Sequence, residues 1–544
     1  MTNHLNNNEN NNMRIIAFGL DAVDPDLVDR WSKEGYLPVI SSLRESGSWG
    51  KLMSNTEISS GTTWASLNTG NSAAKHGMGF YHRQLKTGSY EIVKKYADQV
   101  GRNPFWKILG EMGKRILVFD IPVTYPIESA RGIQIIGWGE EGLNWEQSSL
   151  PPEIMNEIFL KFGKHPLDGW YQKVVKSVKE WKELKGKLIE GVKTRTTIAK
   201  WLLEKELSDF ALIGFAEPHW AGHYFWHLMD ETNPRFDPDA AKECGTTLLE
   251  VYMEVDRSIG QLLDCCPNYT TFIFSNTGIG PNYSGQHLIP EILKRLGMTD
   301  NRPHNKGNNV FRKVLPAHRW GPYTVKKVEK IVSADIIEKV KKIIPSKLWD
   351  KWTRRFLTVG NNWKTSKTFT VPADFTGAIR INLKGREPNG LVEISEYDSI
   401  CEELIRECKS LINPLTGQNA VTEVIKVRDK YKGEFIDDLP DLIVKWEGSS
   451  PITSLTSERI GTVSGSLPDN RSGAHKTYGL LIAKGERIKN VHDFKDGNIE
   501  DIAPTILYLF GAAIPDDIDG KILIEVITED FQIENPIKMI NGKV

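Results

Sequence analysis

Few cysteines, no long apolar run and almost no net charge limit what this chain can be. Five cysteines (Cys244, Cys265, Cys266, Cys401 and Cys408) are spread over 544 residues. They are odd in number and lack paired metal-ligand spacing, so neither a disulfide framework nor a cysteine-based zinc site is expected. Cys401 and Cys408 fall on one expected helix at a spacing that suits packing. A reducing cytoplasm is the compartment that this cysteine usage fits. No stretch reaches the roughly eighteen uninterrupted apolar residues of a membrane-spanning helix. With 69 basic against 70 acidic side chains the formal net charge is -1. The Lys and Arg surplus needed to grip a phosphate backbone is absent, so a nucleic-acid polymer is not an expected partner. The first twelve residues contain seven asparagines and no apolar segment, which excludes a secretory signal and reads as a disordered tail over 1–12.

What is present is the composition of a globular protein, 40% hydrophobic and 26% charged, long enough for one large core. Order is expected from Met13. The run from Arg14 to Leu20 is apolar on both faces, as a central parallel strand requires. Similar runs recur at Ile116–Phe119, Ile133–Ile136, Phe210–Phe215, Thr271–Phe274, Leu442–Val444 and Leu480–Ala483. Helix-period stretches, such as 176–205 and 244–264, separate most of them. The alternation predicts an α/β fold, an open and mostly parallel sheet with helices on both faces. Residues 13–299 and 371–530 are assigned to that core and 531–544 to a C-terminal tail. The segment 300–370 breaks the alternation. Between Thr324 and Arg355 it carries ten basic and four acidic residues, and it is read as a helical insertion or lid, either a solvated face or a cap attracting an anionic substrate.

Ligands of open α/β sheets bind beyond the carboxyl ends of the strands. Asp21 follows the first run, Glu217-Pro218-His219 the run at 210–215, and Ser275-Asn276-Thr277-Gly278 the run at 271–274. His219 and His223 share a helix face at i, i+4 spacing, which can hold a metal ion; a single histidine is more often structural. His227 continues the spacing among aromatics, where packing is the expected role. His475 stands in a glycine-containing turn before the strand at Leu480. Ser60, in Ser59-Ser60-Gly61-Thr62-Thr63-Trp64, sits at a turn into a helix. Spacing alone favours a simple helix cap there over a nucleophile.

Further motifs recur in order along nearly the whole chain. They are Gly19-Leu20-Asp21-Ala22-Val23-Asp24, Trp64-Ala65-Ser66-Leu67-Asn68-Thr69-Gly70 with His76-Gly77, Pro122-Val123-Thr124-Tyr125-Pro126, and Trp138-Gly139. Gly222-His223-Tyr224-Phe225-Trp226 follows, then Ile381-Asn382-Leu383-Lys384-Gly385-Arg386-Glu387-Pro388, Leu439-Pro440-Asp441 and Gly473-Ala474-His475. Asp501-Ile502-Ala503-Pro504-Thr505 and Asp519-Gly520 close the series. With these motifs the sequence resembles the type I phosphodiesterase/nucleotide pyrophosphatase family of the alkaline phosphatase superfamily.

The resemblance implies an alkaline-phosphatase-like fold and phosphoryl transfer between two cations, usually zinc, with manganese or magnesium as substitutes. Two cations clamp the attacking and leaving oxygens. It places Asp21 as a first-strand metal ligand and Ser60, four residues before Trp64, as the nucleophile that forms a covalent intermediate. His219, His223 and His475 fall on metal-ligand positions, and Asn276 and Thr277 on the family's Asp-His pair. His219 replaces an Asp, which three imidazoles and water can accommodate. Asn276 and Thr277 are harder to accommodate, because they leave Asp21 as the one strong ligand of the second cation. His287 is a candidate base or substitute ligand, and Lys384 and Arg386 are candidate phosphate contacts. The expected substrate is a small anionic phosphate ester, a phosphodiester or nucleotide-like molecule. Two alternatives accompany the hydrolase: a binding or scaffold protein that has lost activity, and a single-metal three-histidine enzyme with altered chemistry.

Overall fold

The structure, a computed structural model, describes residues 13–80, 84–139, 146–170, 175, 177–300, 362–467 and 471–542. The first half contributes strands β1 (Ile15–Leu20), β2 (Ser48–Met53), β3 (Arg115–Phe119), β4 (Arg131–Ile136), β5 (Ser148–Leu150), β6 (Phe210–Phe215), β7 (Thr270–Ser275) and β8 (Gly278–Pro281). Then come β9 (Thr368–Thr370), β10 (Gly377–Ile381), β11 (Val421–Lys426), β12 (Leu442–Trp446), β13 (Gly473–Lys476), β14 (Tyr478–Lys484) and β15 (His492–Asn498). The helices that matter are α1 (Pro25–Lys33), α2 (Ser60–Thr69), α3 (Val178–Lys205), α4 (Glu217–Met229), α5 (Thr247–Leu263), α6 (Tyr397–Lys409) and α7 (Ile502–Leu509).

Nine strands form the central sheet in the order β15-β2-β14-β7-β1-β6-β3-β4-β5. β1 lies in the middle and pairs in parallel with both β6 and β7, which is why all six of its residues are buried. Its side chains alternate between two cores. Ile16, Phe18 and Leu20 pack with Trp31 of α1, Leu188 of α3, Phe225 of α4 and Val255 of α5. Ile15 and Ala17 pack on the opposite face with Trp64 of α2 and Ile502 and Ile506 of α7. The α/β sheet with helices on both faces is therefore present as expected. β14 enters antiparallel, between β7 and β2.

The run at Leu442–Val444 is a strand, but not of this sheet. As β12 it belongs to a separate antiparallel sheet of order β9-β10-β12-β11, covered by α6 around Ile379, Ile381, Leu404 and Leu442. An apolar run reports burial on both faces and does not name its partners. Residues 1–12, and 301–361 of the expected basic insertion, lie outside the described residues. Beyond 530 Phe531 is buried against the core and Met539–Ile540 pairs with Ile514–Pro515, while most of the other described residues there are exposed. Among the described residues no helix is long and apolar enough to cross a membrane.

The register Leu20↔Phe215 and Leu20↔Ser275 brings the ends of β1, β6 and β7 to one level. Asp21, the start of α4 and Asn276 consequently emerge side by side. Over this edge lies a two-stranded antiparallel sheet of β8 and β13, in which Ile279 pairs with His475. This pair approaches α4 so closely that a Cβ on Gly473 would lie 2.2 Å from the Gly222 carbonyl oxygen.

Candidate metal centre and nucleophile

α4 begins directly after β6, and its first two turns carry His219 and His223 toward the β8–β13 pair. Their Nε2 atoms are 2.8 Å apart. His223 Nδ1 lies 2.8 Å from the Gly473 carbonyl oxygen. A carbonyl only accepts, so Nδ1 carries the proton and Nε2 presents a lone pair. His219 Nδ1 faces the Asp21 carboxylate at 3.5 Å, which favours the same tautomer. Two lone pairs then converge, an arrangement that is repulsive until a cation or proton lies between them.

His475 completes the group. One ligand atom from each of the three rings lies within 4.8 Å of the others. Both ring nitrogens of His475 are buried without a hydrogen-bond partner among the described residues. Burial lowers the pKa of all three rings, opposed at His219 by Asp21. For His223 and His475 the shift is well below the usual imidazole range, with neighbouring imidazoles and Arg471 adding to it. Three neutral imidazoles with orphaned lone pairs are a donor set that fits zinc. Asp21 stands behind His219 as the supporting carboxylate found behind many metal-bound histidines, and its other oxygen accepts from Trp64 Nε1 at 3.0 Å.

Ser60 opens α2. Ser59 caps the helix by accepting the Thr62 amide, which leaves the Ser60 hydroxyl for other work. Ser60 Oγ donates to Asp374 Oδ2 at 2.9 Å. The next residue, Phe375, lays its ring 5.7 Å from that of His223 and 5.6 Å from that of His475. One dipeptide thus links the hydroxyl to the histidine cluster. Arg471 reaches 3.9 Å from Asp374 Oδ1 and stacks 4.6 Å over the Phe375 ring.

The remaining expected site residues lie elsewhere or are otherwise engaged. Asn276 is fully buried; its Oδ1 accepts from the Ala22 amide at 3.0 Å and its Nδ2 donates to Thr63 Oγ1 at 2.9 Å. It staples the β1 turn to the first turn of α2 and offers no atom to a cation. Thr277 Oγ1 donates to the Lys476 carbonyl. The Lys476 ammonium itself pairs with Asp24 at 2.9 Å and Asp26 at 2.8 Å. Only the three histidines, among the described residues, form a candidate metal group.

His287 bonds the Gly465 carbonyl at 3.1 Å and is not part of the histidine cluster. Lys384 is exposed and paired with Glu393. Arg386 is buried and bidentate to Asp441 at 2.8 and 2.6 Å, with a further bond to the Ile381 carbonyl. Its guanidinium is consumed by the fold. Sequence reasoning missed Asp374 and Arg471. Asp374 lies 314 positions from its partner Ser60, and only the tertiary fold joins them. Arg471 stood next to the Gly473-Ala474-His475 motif but carried no spacing signal of its own.

A serine at the start of a buried helix beside a strand-end histidine cluster, on this sheet, is the arrangement of a phosphodiesterase- or phosphatase-type hydrolase. The chain belongs to the type I phosphodiesterase/nucleotide pyrophosphatase family, whose family model matches residues 15–459. Among solved structures it is similar to murine ectonucleotide pyrophosphatase/phosphodiesterase 5 in complex with AMP. There the identity is 10% and the TM-score 0.48, over 95% of this chain and 100% of that one. It is also similar to phosphonoacetate hydrolase from Sinorhizobium meliloti in complex with phosphonoformate, at 12% identity and a TM-score of 0.47, over 92% and 96% of the two chains. No curated protein matches the chain.

Two consequences of these contacts are measurable. Arg386→Ala strands the Asp441 carboxylate in the core and should lower the unfolding free energy by about 3–5 kcal/mol in urea titrations; an unchanged stability with a raised KM would return Arg386 to a substrate role. Beneath α2, Asn55 joins Ser66 to the half-buried Glu500. Burial pushes the Glu500 carboxyl up to about 8. The folded state therefore binds the proton more tightly than the unfolded one, and this stabilisation is complete below the ordinary carboxyl pKa and lost as pH rises toward 8. Glu500→Gln should gain on the parent by up to about 1.4 kcal/mol per pH unit between about pH 5 and 8. Parallel stability-against-pH curves for the two proteins would refute it.

Proposed function

We propose that the protein hydrolyses a small anionic phosphodiester or nucleotide-like ester, with Ser60 as nucleophile and one zinc ion held by His219, His223 and His475. The observation that carries this reading is the Asp374-Phe375 dipeptide, which touches the Ser60 hydroxyl with one residue and two of the histidine rings with the next. When bound, zinc supplies a Lewis acid that stabilises negative charge on the phosphoryl group. The chain's own residues do the rest. Ser60 Oγ attacks phosphorus and the ester's P–O bond breaks, leaving a phosphorylated serine that water cleaves. The Arg471 guanidinium, half-buried beside Ser60 and the cluster, orients the phosphate by charge and by its fork of donors. Asp21 and the Gly473 carbonyl hold the two α4 imidazoles in one tautomer. The Phe375 ring limits water at their face.

One ion rather than two is proposed because Asn276 and Thr277 spend their polar atoms on the protein. We place the reaction in a reducing cytoplasm, supported by five free cysteines. The test is hydrolysis of bis(4-nitrophenyl) phosphate by the zinc-supplied protein and by Ser60→Ala. The variant should lose at least about 1,000-fold in kcat/KM. A variant equal to the parent, or a parent without turnover, would contradict the proposal.

A further inference from the structure

Asp374 arrives at Ser60 from the loop between β9 and β10, in the second sheet, and it is only 9% exposed. A single oxygen, Oδ2, accepts both the Ser60 hydroxyl and the Ser60 backbone amide, each at 2.9 Å. The amide is a fixed donor of the main chain, so it pins Oδ2 against Oγ. Arg471 lies on the other oxygen. A carboxylate placed only to cap α2 would bond an amide further into the first turn. That task already belongs to Ser59. The contact with Oγ is therefore surplus to capping.

We propose that Asp374 is the general base that activates Ser60. The inference rests on Ser60 being the nucleophile. A serine hydroxyl is a weak nucleophile until a neighbouring base or cation takes up its proton's charge. The position that would supply a second cation has Asn276 and Thr277 instead, and both are engaged elsewhere. A carboxylate within hydrogen-bond reach can accept the proton as the bond to phosphorus forms, as the catalytic Asp of protein kinases does for a substrate hydroxyl. The step balances without a further reactant. The Oγ–H bond breaks, its proton passes to Asp374 Oδ2, Oγ–P forms, and the P–O bond to an aryl oxygen breaks with the electron pair leaving on the phenolate. In the second half, water adds to phosphorus and sheds a proton to solvent, the Oγ–P bond breaks with its electron pair left on Oγ, and Asp374 returns its proton to that oxygen.

The experiment has two readouts. The first is turnover of bis(4-nitrophenyl) phosphate, whose phenolate leaves without needing a proton. The second is the rate at which an aryl fluorophosphonate labels Ser60, followed by the mass of the Ser60 peptide, which needs no turnover. Asp374→Asn keeps the shape and an acceptor for the amide, and should be slower than the parent by about 100-fold or more in both. Asp374→Ala should be equally slow, and added formate, but not chloride, should restore part of both rates. Parental rates in Asp374→Asn, or no response of Asp374→Ala to formate, would overturn the proposal while leaving Ser60 as nucleophile. Undiminished turnover in Ser60→Ala would remove the nucleophile itself, and the proposed base with it.

Discussion

The hydrogen bond between His223 Nδ1 and the Gly473 carbonyl is the contact on which the site depends. It is 2.8 Å long and joins residues 250 positions apart. It fixes the tautomer of His223, so that Nε2 is the atom turned toward His219. It also locks β13, and with it the β8–β13 pair, to α4, which sets the position of His475 on β13. The close approach is possible because Gly222 and Gly473 have no side chains; a Cβ on either would collide with the opposite element. One contact therefore determines a tautomer, a distance and the third member of the cluster. A mispositioned β13 would leave the buried His223 imidazole without this compensation for its lost hydration.

Around this cluster the charges are arranged differently from those of a symmetric two-cation site. Asp21 divides its oxygens between an indole N–H and the His219 ring. Asn276 works as a staple between the β1 turn and α2. Lys476, adjacent to His475, carries its ammonium to Asp24 and Asp26. Asp374 comes from the β9–β10 loop of the second sheet, so the two sheets meet at Ser60.

Much of the fold and half of the site were legible in the sequence. The run at 14–20 could be placed as a central strand because only a strand covered on both faces stays apolar at every position. His219 and His223 were legible because helical geometry converts a spacing of four into a shared face. Asp21, Ser60 and His475 followed from the family resemblance. Other residues were not legible because side-chain type does not report direction. Arg386 looks the same in sequence whether it meets a phosphate or Asp441, and His287 the same whether it is a base or a packing residue. Asp374 could not be read at all, since neither periodicity nor motif links positions 60 and 374. Leu442–Val444 was recognised as a strand but given to the wrong sheet, because burial does not specify a pairing partner.

The central claim is that three histidines hold one metal ion, and counting metal tests it most directly. The purified chain would be loaded with zinc, freed of excess by gel filtration and analysed by plasma mass spectrometry, alongside His475→Ala. One zinc per chain in the parent, and a content well below one in the variant, is the predicted result. Two ions per chain, or a variant that retains as much zinc as the parent, would contradict it.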